Sequence, residues 1–136
     1  MITKYIALMT KGNCDIIDIT LQIKEIAEEE KVDNGILFLS VIGSTAAITT
    51  MEYEPGLAKD VKNMFEELFP YRKDYAHNFT WSDDNGHSHL RSSFLKTNFF
   101  VTVTNSNLDL GIWQQVVLID FDTQPRERKI VVKVVS

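Results

Sequence analysis

Cysteine is almost missing from this chain: Cys14 stands alone, and a single thiol cannot close an intrachain disulfide, so cross-links do not hold the fold together. No apolar run reaches the roughly 20 residues that a membrane-spanning helix needs, and no charged-then-apolar leader opens the sequence. A cytoplasmic, reducing setting is therefore expected, with no membrane partner. Cys14 has no histidine near it in sequence and reads as a plain small residue rather than a nucleophile. Basic residues are the minority, 14 against 19 acidic ones. The resulting charge of −5 argues against nucleic acid as a partner, because a broad nucleic-acid footprint needs a basic surface; a local basic pocket remains compatible with it.

What is present is ordinary globular material. Hydrophobic residues make up 44% and charged residues 24%, near the averages for packed domains, so neither disorder nor a fibrous repeat is indicated. At 136 residues the chain fits one domain, 1–136, large enough to bury roughly two thirds of its unfolded surface. Residues 4 to 9 read as a strand, and Thr10 to Asn13 as a turn into Asp15–Asp18, a first hairpin. From Thr20 the residues Ile23, Ile26 and Ala27 recur at helical spacing until Asp33-Asn34-Gly35 ends the helix. Gly35–Val41 is a short apolar run typical of a mid-sheet strand, and Ala46–Tyr53 resumes a β-rich run after the break at Gly43-Ser44-Thr45. Leu57, Val61, Met64, Phe65, Leu68 and Phe69 mark a second helix, which Pro70 stops. Three β-branched or aromatic runs close the chain: Asn98–Thr104, Gln114–Asp122 and Lys129–Val135, read as a meander. The pattern is α+β, a mostly antiparallel sheet or two-sheet sandwich with two main helices.

The chemistry concentrates between residues 77 and 91, a polar stretch read as a surface loop. All three histidines lie there. His87 and His89 are two apart, so in an extended segment both imidazoles point to one side and can meet one metal ion, with His77 folding back to close the set. Zinc accepts three nitrogen or oxygen ligands plus water, and Asp83 or Glu52 can join or replace one histidine; a carboxylate-rich set suits magnesium instead. The alternative is that these side chains hydrogen-bond the loop to itself, since Asn and Asp are common turn formers. Gly43, Ser44 and Thr45 offer a close backbone approach and two hydroxyls to an anion, or form an ordinary turn. Arg91 is the best placed guanidinium for a phosphate, whereas Arg126 and Arg128 read as solvated turn charges. Trp81 and Trp113 can stack on a planar ligand or belong to the core.

Taken together, Gly43-Ser-Thr-Ala-Ala47, Glu52-Tyr-Glu-Pro-Gly56, Trp81 with Asp83 and Asn85-Gly-His-Ser-His89, and Gly111 with Trp113-Gln114 resemble the YjbQ family. Order and spacing match from about Tyr5 to Val135. The resemblance implies a compact α+β sandwich assembled as a homotrimer. It also implies a weak thiamine-phosphate synthase activity, joining a pyrimidine pyrophosphate to a thiazole phosphate. Many bacterial relatives carry histidine at position 43, inside a His-Thr-Thr-Ala motif, forming a polar site with the histidines that match His77 and His89. This chain has Gly43, which resembles the archaeal-type branch, where the extra histidine at 87 is also found. Asp84, Lys96, Thr97, Thr102, Ser106 and Ile112 depart from that branch, mostly at turns and strand edges.

The expected site is accordingly His77, His87 and His89 for a divalent metal, zinc or magnesium. Glu52, Asp83 and His89 are expected to carry catalysis, and Gly43, Ser44, Thr45, Asn85 and Arg91 to bind substrate or phosphate. The expected ligand is a small phosphorylated metabolite. Two further readings use the same residues: a non-catalytic metal-, phosphate- or metabolite-binding trimer, and a metal-dependent hydrolase with Glu52 or Asp83 as base.

Overall fold

A computed structural model describes residues 1–136 as eight strands and four helices. In chain order they are β1 (Ile2–Thr10), β2 (Asp15–Asp18), α1 (Thr20–Glu29), β3 (Gly35–Val41), β4 (Ala46–Met51), α2 (Pro55–Leu68), α3 (Ala76–Trp81), α4 (Gly86–Leu95), β5 (Asn98–Thr104), β6 (Asn107–Leu108), β7 (Gln115–Asp120) and β8 (Arg126–Val135). The strands form two antiparallel sheets, β1-β8-β3-β5-β6 and β2-β7-β4.

Period-two alternation sorts the side chains into layers. On β7, Val116 and Leu118 join the core between the sheets, while Val117 and Ile119 join a second core beneath the helices. β4 does the same, with Ala46 and Ile48 on one face and Ala47 on the other. The three-stranded sheet is thus the middle layer, which is why Val116–Ile119 of β7 is an unbroken apolar run. Leu37, Leu39, Ile130, Val132 and Val101 fill the first core from the larger sheet, and α1 adds Ile23, Ile26 and Ala27. Phe65 of α2 meets Phe121 edge to face at 4.8 Å in the second core. Each such buried side chain contributes roughly 1.5–3 kcal/mol. The outer face of the larger sheet carries Tyr5, Phe38 and Phe100 exposed to solvent. No helix is long and apolar enough to cross a membrane.

Helix α2 begins as its sequence dictates: the Glu54 carboxylate caps it by accepting from the Gly56 and Leu57 amides, and Pro55 occupies the first turn. Three expectations need correction. β1 and β2 are not a hairpin, because β1 pairs with β8 and β2 with β7 in the other sheet. The last strands are not a meander either: β5, β7 and β8 alternate between the two sheets.

The third correction matters most. The polar stretch is not a loop but the pair α3 and α4. Helix α4 lacks an apolar stripe because it docks on the middle sheet through hydroxyls, Ser92 donating to the Ala46 carbonyl at 2.6 Å and Ser88 to that of Phe121. Its first residue, Gly86, sits so close to α3 that a Cβ would lie 2.7 Å from Cβ of Tyr75 and 2.9 Å from Oδ1 of Asn78. The buried Asn78 amide ties the two helices, accepting from the Gly86 N–H at 2.9 Å and donating to the Arg72 carbonyl.

Candidate functional site

A helix advances about 100° per residue, so side chains two apart diverge by about 200°. His87 and His89 therefore leave opposite sides of α4, and the shared metal position drawn from an extended segment is not formed. His89 faces α3, where its ring lies 4.3 Å from that of His77 with 52° between the planes. His87 is buried and meets Tyr71 edge on at 5.1 Å. Nowhere do three His, Cys, Asp or Glu side chains converge on one position suited to a metal ion. The side chains present do not fit the expected three-ligand zinc or magnesium site.

The His77–His89 pair is held by a polar relay. Nε2 of His77 lies 3.1 Å from Oδ1 of Asn85 and 3.4 Å from Oδ2 of Asp83. The Asn85 amide oxygen and the Asp83 carboxylate only accept, so both call for a hydrogen on Nε2 of His77. That assigns the His77 proton to Nε2. Burial and the neighbouring His77 lower the His89 pKa, against the opposing pull of Asp122, Asp83 and a backbone hydrogen bond with Ser44. A lowered value leaves His89 neutral near pH 7 and able to take up a proton.

Behind this pair lies a buried ionic network at the end of the sandwich, joining the two sheets. Arg128, only 6% exposed, donates from Nε and Nη2 to the two oxygens of Asp120 at 2.7 and 2.9 Å, the bidentate geometry that makes such pairs strong. Its Nη2 also reaches Oγ1 of Thr45 at 2.6 Å, and that hydroxyl donates to Asp122 at 2.9 Å. Arg126 and the Thr123 amide complete the ring around Asp122. Burial pushes both carboxyls up, but these donors outweigh it and hold Asp120 and Asp122 below the ordinary carboxylate range. The remaining guanidinium nitrogen of Arg128, Nη1, makes no hydrogen bond in the chain and lies 2.7 Å from where a Cβ on Gly43 would begin. Gly43, at φ +150°, is the opening through which this cation reaches the surface. Alongside is a cleft of about 200 Å³ whose walls include Gly43, Ser44, Ser93 and Lys96.

Among the residues expected in the site, His77, His89, Asp83, Asn85, Gly43 and Ser44 come together. Thr45 belongs to the same place, but its hydroxyl is committed internally between Arg128 and Asp122. Glu52 does not join them: it follows the far end of β4, six residues and about 20 Å from Ala46 at the usual strand rise. Arg91 is on the His87 side of α4, donating to the Phe69 carbonyl and to Glu66. Trp81 and Trp113 lie outside the core, exposed at 71% and 70%.

Sequence reading missed Asp120, Asp122, Lys96 and the role of Arg128, which it placed in a solvated turn. Alternation along β8 carried a clue, since Arg128 stands two before Ile130 and four before Val132 and so shares their inward face.

The family profile described as “UPF0047 protein YjbQ-like” matches residues 4–136. A UPF0047 protein of Methanothermobacter thermautotrophicus is 36% identical over 132 residues, covering 97% of this chain and 90% of its own. The UPF0047 protein YugU of Bacillus subtilis is 28% identical, with 98% of both chains covered. Among solved structures, a hypothetical protein from Aeropyrum pernix K1 superimposes with a TM-score of 0.92 at 27% identity, over 100% of this chain and 99% of that one. A YbjQ-like protein of unknown function from Sulfolobus solfataricus P2 gives 0.88 at 31% identity, over 97% and 96%.

Proposed function

This chain belongs to the YjbQ-like UPF0047 family, and from that premise we propose that it binds a small phosphorylated metabolite beside the His77–His89 pair. The activity proposed with it is the one its resemblance implies, transfer of thiamine-phosphate synthase type, in which a pyrimidine pyrophosphate is joined to a thiazole phosphate and pyrophosphate leaves. The observation that carries this reading is the unpartnered Nη1 of Arg128 at Gly43, a fixed donor one residue from Ser44, whose backbone hydrogen-bonds His89 of the imidazole pair. A preorganised guanidinium stabilises charge developing on a leaving phosphate without reorganising. Lys96 and the hydroxyls of Ser44 and Ser93 offer further donors in the adjoining cleft. In this reading His77, its Nε2–H held by Asp83 and Asn85, and neutral His89 each offer a ring nitrogen that accepts a hydrogen bond from the ligand.

The working unit proposed is a homotrimer. What supports it is the outer face of the larger sheet, where Phe38 and Phe100 are 46% and 57% exposed on adjacent strands, an apolar surface of the kind that marks protein contacts.

Purified protein supplied with the pyrimidine pyrophosphate and the thiazole phosphate should form thiamine phosphate above the level of a His89→Ala control. Equal product from both proteins removes the catalytic reading. Saturable binding of the thiazole phosphate without turnover, lost in His89→Ala, reduces the site to a binding module.

A further inference from the structure

We propose that the cleft between α2 and α4 is a second ligand site, separate from the His77–His89 site. It takes small oxyanions that also carry a hydrogen-bond donor, of which hydrogen phosphate is the simplest. The cleft has a volume of about 290 Å³, and Lys62, Tyr71, His87 and Arg91 are in its wall.

Its charge comes from two cations. Arg91 is anchored from below, with Nε and Nη2 donating to the Phe69 carbonyl at 3.0 and 2.8 Å and Nη2 to Glu66 at 3.0 Å. Its Nη1 is left without a partner in the chain. Lys62, exposed on α2, makes no ion pair. Glu66 balances one of the two, so the cleft retains a single net positive charge, suited to an oxyanion.

The selectivity comes from His87. This side chain is 4% exposed, and its Nδ1 is the one buried side-chain nitrogen or oxygen in the protein with no hydrogen-bond partner. Buried polar atoms are nearly always satisfied, so an orphan in the wall of a cavity asks for a ligand atom. Its neighbour decides the kind of atom. The only proton of the Ser88 hydroxyl goes to the Phe121 carbonyl, so Oγ of Ser88 can only accept from Nε2 of His87, 3.4 Å away. The His87 proton therefore sits on Nε2, and Nδ1 offers a lone pair. An anion that satisfies this lone pair must bring its own hydrogen. Hydrogen phosphate does, whereas sulfate at neutral pH does not.

The test is a titration of the full-length protein with sodium phosphate and, separately, sodium sulfate at pH 7 and matched ionic strength. It is followed through the imidazole nitrogen resonances of all three histidines. Phosphate should perturb His87 saturably and at lower concentration than sulfate, and Lys62→Gln should weaken phosphate binding at least about threefold. In His87→Phe the preference for phosphate over sulfate should vanish. Should that variant not fold, the phosphate–sulfate comparison on the parent protein and Lys62→Gln decide the matter. The proposal is overturned if His87 does not respond, if sulfate binds as well as phosphate, or if Lys62→Gln binds unchanged. A response confined to His77 and His89 also overturns it and assigns phosphate to the other site alone.

Discussion

Arg128 and Gly43 occupy one space: a Cβ on residue 43 would stand 2.7 Å from Nη1 of Arg128. Glycine is thus required here twice over, for the φ of +150° and for the room the guanidinium takes. Gly43→Ala should cost about 1–3 kcal/mol in urea unfolding, from backbone strain and displacement of Nη1. Arg128→Met should cost more, about 3–5 kcal/mol, because it leaves Asp120 buried and unpaired. The double variant should cost less than the sum, since the alanine no longer meets a guanidinium. Strict additivity would show that the two residues do not compete for this space.

Acid should loosen the fold in two stages. Burial first, and then Arg91 for His87 and His77 for His89, lower both histidine pKa values below the ordinary 6.5. The unfolded chain therefore binds these protons at higher pH than the folded one. Their contribution is complete above about pH 6.5 and is lost as the pH falls through the lower folded values. Asp120 and Asp122, also lowered in the fold, add a second loss beginning below the ordinary 3.8. The urea midpoint should be level from pH 8 to about 7 and fall below about 6.5. His89→Gln should shrink the first stage, leaving the part due to His87. A midpoint that holds or rises between about pH 6.5 and 5 contradicts the assignment.

Cys14 should be a slow thiol. It is 4% exposed, and burial raises its pKa to about 11 despite the opposing charges of Arg91 and Lys62. Almost no thiolate exists at pH 8, so native protein should react with iodoacetamide far more slowly than the same protein in urea. Equal rates would mean that the segment around Cys14 opens readily.

How much of this was legible follows from which contacts are local. The apolar runs announced the strands, and Gly35–Val41 reads as mid-sheet, where β3 does lie between β8 and β5. The apolar stripe of α2 is read from Leu57 to Phe69, but Glu54-Pro55-Gly56, which caps and starts it, reads as the end of the preceding β run. Helix α4 escaped because its inward face is Gly86, Ser88 and Ser92, chosen for close approach and hydroxyl-to-carbonyl bonds rather than for hydrophobicity. That one misreading grouped His87 and Arg91 with His77 and His89, from which the turn of the helix separates them. The Asp120–Arg128 pair was hidden for a different reason: it spans two sheets, and no spacing in the chain shows which strands lie across from one another.

Gly86 offers a test of that account. If close approach to α3 is what selects glycine, Gly86→Ala should destabilise the protein by about 1–3 kcal/mol, as overpacking does. This would run against the usual gain of alanine over glycine inside a helix. Ser92→Ala, which removes only the hydrogen bond to the Ala46 carbonyl, should cost about 1 kcal/mol. Urea unfolding of both variants checks the order; a stabilised Gly86→Ala would mean that α3 gives way at no cost.

The outer sheet face makes the last prediction. Phe38 and Phe100 are cross-strand partners with ring centroids 6.1 Å apart, and Phe99, Val131 and Lys133 help line the same groove, about 820 Å³ in volume. The pair contributes roughly 0.2–1 kcal/mol within the monomer, and opposed aspartates add a like-charge penalty of similar size, so the fold should survive the replacement. If the face joins copies of the chain, Phe38→Asp with Phe100→Asp should convert the trimer to monomer in light scattering while the far-ultraviolet circular dichroism stays the same. A parent protein that is already monomeric at micromolar concentration would remove the trimer from the reading. It would leave the His77–His89 pair in place, since both rings are carried by one chain.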